Sequence, residues 1–296
     1  MRDETPSRTA AFVAAARQLG QLLPPHSRLV EDPYGAAFTS AAVGRVIDRN
    51  SDRLRLLAEL PGMKNWILYM QVRTRVIDDA LREFVEAGGR QVVLLGAGYD
   101  TRSLRMPELA DVAVYEVDHP ATQGHKRVVL ARIHADSPSH FVTWDFESRP
   151  MEDLPEELAS AGLDLSRPVF TIWEGVTMYL TDEAIDASLR AIRAWSAGPD
   201  SRLAMTYVQK SRLARPSLVT RAMQIVVSTV GEPWKFGWTP DELPGYLEER
   251  GFTLLRDTTI TAAARELLPP DVAIHVPHRD RRIALAAGAE SVAIVR

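Results

Sequence analysis

The chain has 296 residues, 46% of them hydrophobic and 25% charged, with a formal net charge of −4 and no cysteine. Those proportions belong to a soluble globular protein with a substantial core, long enough for one large α/β domain with embellishments or two small ones. They offer no overall basic field for nucleic acid, and the missing cysteines exclude disulfides, zinc–thiolate sites, iron–sulfur clusters and a cysteine nucleophile.

The opening "MRDETPSRTAAFVAAARQLG" is charged and lacks the apolar run of a secretion signal, and no window reaches the ~18 apolar residues of a membrane span. The expectation is a cytoplasmic protein without a membrane partner. Within that stretch a Ser/Thr cap precedes Ala11, Phe12, Ala15, Ala16 and Leu19 at helical spacing. A proline-punctuated connection, "LPPHSRLVEDPYGAAF", follows. Residues Trp66 to Gly89 then read as a strong amphipathic helix stopped by Gly88–Gly89. The first 90 residues therefore read as a helical N-terminal cover, and residues 91–296 as a ligand-binding core.

From there apolar runs alternate with helical patterns. Strands are expected at Val92–Leu95, Val112–Asp118, His140–Phe146, within Pro168–Leu180, at Ser201–Val208, in "GFTLLRD", and in the C-terminal "ESVAIVR". Alternating strand and helix implies βαβ units, a parallel doubly wound sheet, and a ligand at the carboxyl ends of its strands. Residues 210–238 break the alternation and read as an inserted helical lid, whose Trp234, Phe236 and Trp238 serve either as core or as the wall for a flat acceptor. The run "RDRR" (Arg279–Arg282) reads as solvated surface.

The stretch "LLGAGYDTRSLR" places Gly96, Ala97 and Gly98 just past the first strand. A glycine turn there, with Asp-Thr-Arg-Ser able to open a helix, suits a nucleotide. The second strand ends in "YEVD", so Glu116 and Asp118 stand where an acid would hold a ribose diol. The third glycine of the dinucleotide fingerprint is missing: Thr101 occupies its place. A ligand without a pyrophosphate does not need it, which favours S-adenosylmethionine over NAD. Asp145 and Phe146 close the third strand and suit an adenine edge and face. Glu174 ends a very apolar strand, where a carboxylate must be paired, and a ligand ammonium or an internal arginine would do so. Arg73 and Arg75 point to different sides of one helix, so at most one reaches a ligand carboxylate, with Arg73 preferred over an intrahelical pair with Asp78 or Asp79.

Taken together, "TPSRTA", "EDPYGAAF", "VRTRVIDD", "LLGAGYDTRSLR", "YEVDHPATQGHKR", "DFES", "WEGVTMYLTDEAI" and "GEPWKFGWTPDELPGYLEERGF" resemble the leucine carboxyl methyltransferase family of class I S-adenosylmethionine-dependent enzymes. The resemblance runs from residue 5 to about residue 252 and is closest to bacterial polyketide-tailoring carboxyl methyltransferases of the tetracenomycin type. It implies an α/β, Rossmann-like seven-stranded sheet under a helical cover. It also implies that Arg73 holds the cofactor carboxylate, Gly96 and Gly98 line its methionine and ribose part, Asp118 takes the ribose, Glu174 lies near the amine, and Asp145 with Phe146 flanks the adenine.

Methyl transfer asks chiefly for alignment. A carboxylate acceptor is already ionised at neutral pH and needs only an Arg or Tyr to hold it, for which Tyr99, Arg102, Tyr179 and Tyr207 are candidates. A phenol or hydroxyl acceptor would be helped by a base, for which His119, at the mouth, and His275 or His278 are candidates. The two-histidine segment is too sparse for a metal site. The acceptor is expected to be a small molecule, aromatic or of polyketide type. A protein C-terminal carboxylate, a cofactor-binding protein without turnover, and an NAD(P)-dependent oxidoreductase are the competing expectations.

Overall fold

A computed structural model of the chain describes residues 6–39, 56, 58–196, 198–211 and 234–289. Within them seven strands pair into one sheet: β1 (Gln91–Leu95), β2 (Ala113–Asp118), β3 (His140–Thr143), β4 (Phe170–Trp173), β5 (Arg202–Val208), β6 (Phe252–Thr259) and β7 (Arg281–Gly288), in the order β3-β2-β1-β4-β5-β7-β6. The first five are parallel, and β7 runs antiparallel between β5 and β6.

The expected sheet is corrected in two respects. The sheet is mixed rather than wholly parallel, and it contains a strand, "RRIALAAG", that the pattern does not predict; the expected strand "ESVAIVR", residues 290–296, lies outside the described residues. β7 escapes a pattern reading because it is buried on both faces by small side chains. Ile283 joins the core on one side, and Ala284 and Ala286 join the core on the other. Three alanines in eight residues carry little β-branched signal.

Helices cover both faces. On one lie α1 (Arg8–Leu19) and α2 (Pro61–Glu86); on the other lie α5 (Leu154–Ser160), α6 (Asp182–Trp195) and α7 (Leu243–Glu248). Between these in the chain come the single turn α3 (Arg102–Arg105) and α4 (Pro120–Arg132), and after β6 come α8 (Ile260–Leu267) and α9 (Pro270–Ala273). Local chemistry sets several of the starts. The Ser7 side chain accepts from Ala10 N at 3.1 Å, Thr181 caps α6 in the same way, and Pro61 and Pro120 open α2 and α4 at positions that need no N–H. Helix α2 is sandwiched. Ile77, Leu81 and Phe84 share a core with Val92, Leu94 and Phe170 of the sheet, while α1 packs over its other side. Gln71 of α2 accepts from Leu29 N at 2.9 Å and Val30 N at 2.8 Å, which ties the N-terminal connection down. Among the described residues no helix is long and apolar enough to cross a membrane. Of the expected lid, residues 212–233 lie outside the described residues.

Candidate active site

The carboxyl ends of β1, β2 and β4 converge on one edge of the sheet. Gly96 and Gly98 follow β1 with φ of 72° and 54°, a backbone that favours glycine. A Cβ on Gly96 would stand 2.8 Å from Val176 Cγ2, in the turn after β4. Gly96 N and Ala97 N both donate to Val117 O, at 2.9 and 3.1 Å, so they are already used inside the protein. Gly98 N donates to Asp118 Oδ2, and His119 N donates to Asp118 Oδ1 at 2.6 Å. Burial raises the Asp118 carboxyl above its ordinary range against these two bonds. Two accepted bonds leave a carboxylate with about two further lone-pair sites, enough for a pair of hydroxyl donors at the mouth.

The helix expected after this turn is only one turn long, and Arg102 N donates to Asp100 Oδ1 at 2.8 Å instead of facing a ligand. Thr101 is fully buried, with its hydroxyl donating to Asp32 Oδ2 at 2.9 Å. The place of the missing third glycine is thus filled by a contact to the N-terminal connection, where Arg17 pairs with the same Asp32 oxygen at 2.8 Å.

Glu174 follows β4 and is gripped twice. Arg73 Nε donates to Oε1 at 2.6 Å, and Arg102 Nη2 donates to Oε2 at 2.9 Å. Burial would raise this carboxyl, but the charges of Arg73 and then Arg102 hold it down at about 2. Arg102 also pairs with Asp78 at 2.7 Å and with Asp100, and Arg105 pairs with Asp78 at 2.7 Å. Arg102, named above as a candidate to hold an acceptor, is the hub of a buried ion network and is engaged by three carboxylates. Arg73 lies across from Glu174 rather than against Asp78 or Asp79, while Arg75 pairs with Asp79 at 2.7 Å on the outer side of the helix. Arg73 Nη1 also lies 3.4 Å from the Tyr69 hydroxyl.

Residues 10–193, more than half of the chain, match the leucine carboxyl methyltransferase family model. The chain belongs to this family. A relative from Mycolicibacterium paratuberculosis, assigned as an S-adenosyl-L-methionine-dependent methyltransferase, is 30% identical over 92% of this chain and 94% of its own length. One from Mycobacterium tuberculosis with the same assignment is 36% identical over 66% of this chain. The match spans 56% of that longer protein. Among solved structures, a Thermobifida fusca protein assigned as a methyltransferase superposes with a TM-score of 0.56 at 21% identity, over 92% of this chain and 97% of that one. The sheet order and this likeness are those of the class I S-adenosylmethionine-dependent methyltransferase fold.

In this family member the remaining expected site residues divide. Asp145 lies beyond the end of β3, accepts from Glu147 N at 3.0 Å and from Ser148 Oγ at 2.6 Å, and stands 3.9 Å from His119 Nε2. Phe146 beside it is exposed. His119 Nδ1 caps α4 by accepting from Ala121 N at 3.2 Å, so a neutral His119 carries its proton on Nε2, toward Asp145. That arrangement speaks against His119 as a base. Glu116 is buried rather than at the mouth: it pairs with Lys126 of α4 and accepts from Ser139 Oγ at 2.9 Å. The Tyr99 hydroxyl bonds His125 Nδ1 at 2.8 Å and is pushed up to about 12 by burial and the Asp118 charge. Tyr207 donates to Asp257 Oδ2 at 2.8 Å, on the sheet face away from Arg73, and burial followed by that carboxylate raises it further. Neither tyrosine is placed to hold an acceptor beside Glu174.

Tyr179 stands near Arg73. It is largely buried beside Trp234, within the fields of Tyr69, Arg281 and Arg73, and burial raises its hydroxyl. The aromatic trio of the expected lid separates: Trp238 is buried against Tyr207 and Tyr246 and touches Phe236, while Trp234 lies toward Tyr179 and Arg281. His278 packs 4.9 Å from the Tyr69 ring. Tyr69, which no sequence motif singles out, lies between Arg73 and Arg281. It stands four positions before Arg73 on the same helix face, a spacing that was there to be used. Among the described residues no group of acidic or histidine side chains is arranged to hold a metal ion.

Proposed function

We propose that this protein is an S-adenosylmethionine-dependent O-methyltransferase that converts a carboxylate on a small, flat acceptor of secondary-metabolite type into a methyl ester. The observation that carries the carboxylate reading is the lining next to Glu174. Tyr69 and Tyr179 lie beside Arg73 within the field of Arg281, so two phenols and a second cation stand beyond the arginine assigned to the cofactor, groups that hold an anion by donating to it.

The residues present fit the cofactor. Asp118 has lone pairs left for the ribose hydroxyls, Glu174 has two left for the amine of the methionine tail, and Arg73, with Nε and Nη1 engaged, has donors left for the tail's carboxylate. The Gly96–Gly98 turn holds its backbone at φ values of 72° and 54°, where a Cβ would press on Val176 and Ala10, so the bare backbone is what faces the ligand edge. The exposed Phe146 and the neighbouring Asp145 suit the adenine. Thr101, buried and bonded to Asp32, stands against a dinucleotide. When bound, S-adenosylmethionine supplies a methyl group on a sulfonium, and its departing sulfur is neutral. The chain's own work is then to bring an ionised acceptor oxygen into line with that methyl and to keep it there, with no proton to remove.

A second reading is favoured by the position of His278 beside Tyr69: a hydroxyl acceptor with His278 as base. The two part on one experiment. The protein is incubated with methyl-labelled S-adenosylmethionine and a panel of aromatic carboxylic acids and phenols, and the product is treated with mild base. Label released as methanol identifies an ester; label that resists base and disappears in the His278→Gln variant identifies the hydroxyl reaction.

A further inference from the structure

Because β7 is antiparallel, its first residue rather than its last reaches the edge of the sheet where the parallel strands end. Arg281, the first residue of β7, is paired in register with Val208, the last of β5. Its side chain projects to the α2 face. There its guanidinium carbon lies over the Tyr69 ring, 4.4 Å from the centroid, and 5.6 Å from the centroid of Trp234. Arg73 reaches the same Tyr69 ring at 5.5 Å. Tyr69 feels both charges: burial would raise its hydroxyl, yet Arg281 and then Arg73 bring it below its ordinary range.

The buried charges near this edge pair off. Arg73, Arg102 and Arg105 share Glu174, Asp78 and Asp100. Arg281 has no such share: among the described residues no carboxylate forms an ion pair with it, and although its guanidinium reaches the Tyr69 hydroxyl, its Nε is shielded from solvent without a hydrogen-bond partner. A guanidinium lying over a ring keeps its N–H donors at its edge. A shielded donor without a partner is costly, and a cation held among aromatic rings is a receptor for a planar anion, which a guanidinium takes bidentately.

We propose that Arg281 is the anchor for the acceptor's carboxylate, with the Tyr69 and Trp234 rings forming the wall for an aromatic body attached to it. The inference rests on the carboxylate reading above and deepens it: it names a recognition group beyond residues 10–193, outside the family match.

The probe is 1-naphthoate, with 1-naphthamide as its uncharged isostere, titrated into the full chain saturated with S-adenosylhomocysteine and followed by calorimetry. Wild type is expected to bind the carboxylate roughly 10- to 100-fold more tightly than the amide, the worth of a charge-assisted pair. Arg281→Gln is expected to lose that preference, and Arg281→Lys to keep part of it, with S-adenosylhomocysteine affinity unchanged in both as proof of an intact cofactor site. The assignment is overturned if wild type does not bind 1-naphthoate or does not prefer it to the amide. A preference that survives in Arg281→Gln overturns it as well. So does a fall in S-adenosylhomocysteine affinity that matches the loss of naphthoate binding, since that would place Arg281 on the cofactor. If the preference depends on Arg281 but the methylated product resists base, the anchor stands and ester formation is the reading that fails.

Discussion

Arg73 Nε and Glu174 Oε1 meet at 2.6 Å, joining α2 to the end of β4 across 101 positions of sequence, with side chains only 6% and 9% exposed. The pair does two things at once. It neutralises a carboxylate that a very apolar strand carries to the ligand edge, and it aims both groups at the same small space.

That pairing sets a pH dependence. Glu174 has a folded-state pKa held at about 2, below its ordinary 4.5. Its contribution to stability is therefore complete above about pH 4.5 and is lost as the pH falls toward 2. Glu174→Gln leaves Arg73 and Arg102 without their shared counter-charge, and it should destabilise the protein by about 3–5 kcal/mol at pH 7. Urea unfolding of both proteins from pH 7 to pH 3 checks this. The gap should narrow as the pH drops below 4.5, and a constant gap would mean that the charge of Glu174 is not what the network uses.

Asp118→Ala removes the acceptor for Gly98 N and His119 N together with the proposed ribose contact. Binding of S-adenosylhomocysteine should weaken by about 1–3 kcal/mol. Isothermal titration measures it directly, and an unaltered dissociation constant would take Asp118 out of the site.

Much of this arrangement is legible from the residue order. Apolar runs locate β1 to β5, the cap residues Ser7 and Thr181 locate the starts of α1 and α6, and an acid at the end of "FTIW" stands out because an apolar strand has no local reason to carry one. What is hidden has physical causes. Glu116 and Asp118 share one face of β2, as alternate strand residues must, so pattern alone cannot say which reaches the mouth. Two residues of rise, roughly 7 Å, put Glu116 back from the edge, where Lys126 meets it. Arg281 is hidden for a different reason. "RDRR" followed by an alanine-rich stretch reads as surface, and only the pairing of β7 with β5 shows that its last two arginines, the first two residues of the strand, are turned to opposite faces, Arg281 to Tyr69 and Arg282 to Asp257.

The position of Glu116 yields a prediction of its own. Lys126→Met strands a buried carboxylate and should cost about 3–5 kcal/mol, whereas Lys126→Met combined with Glu116→Gln should recover part of that loss. The double variant should bind S-adenosylhomocysteine as wild type does. Thermal denaturation and titration on the same samples test both points, and weakened binding in a well-folded double variant would return Glu116 to the cofactor site.

At Gly96 two penalties are separable. Gly96→Ala forces an L side chain to a φ of 72° and sets its Cβ 2.8 Å from Val176 Cγ2. The conformational part costs about 1–2 kcal/mol, and the clash adds to it. Adding Val176→Ala should relieve the clash alone. The melting temperature should therefore fall in Gly96→Ala and rise partway in the double variant; full recovery would mean that the backbone accepts alanine without strain.

The reversed direction of β7 means that two distant stretches of one chain meet at the Tyr69 ring: α2 brings Arg73 from within residues 10–193, and a late strand brings Arg281 from beyond them. The proposed anchor for the acceptor and the proposed holder of the methyl donor thus come from separate stretches of the chain. Substitutions at the start of β7 should therefore shift the choice of acceptor through the proposed Arg281 anchor, while binding of S-adenosylhomocysteine, proposed for Arg73, Asp118 and Glu174, stays as it is.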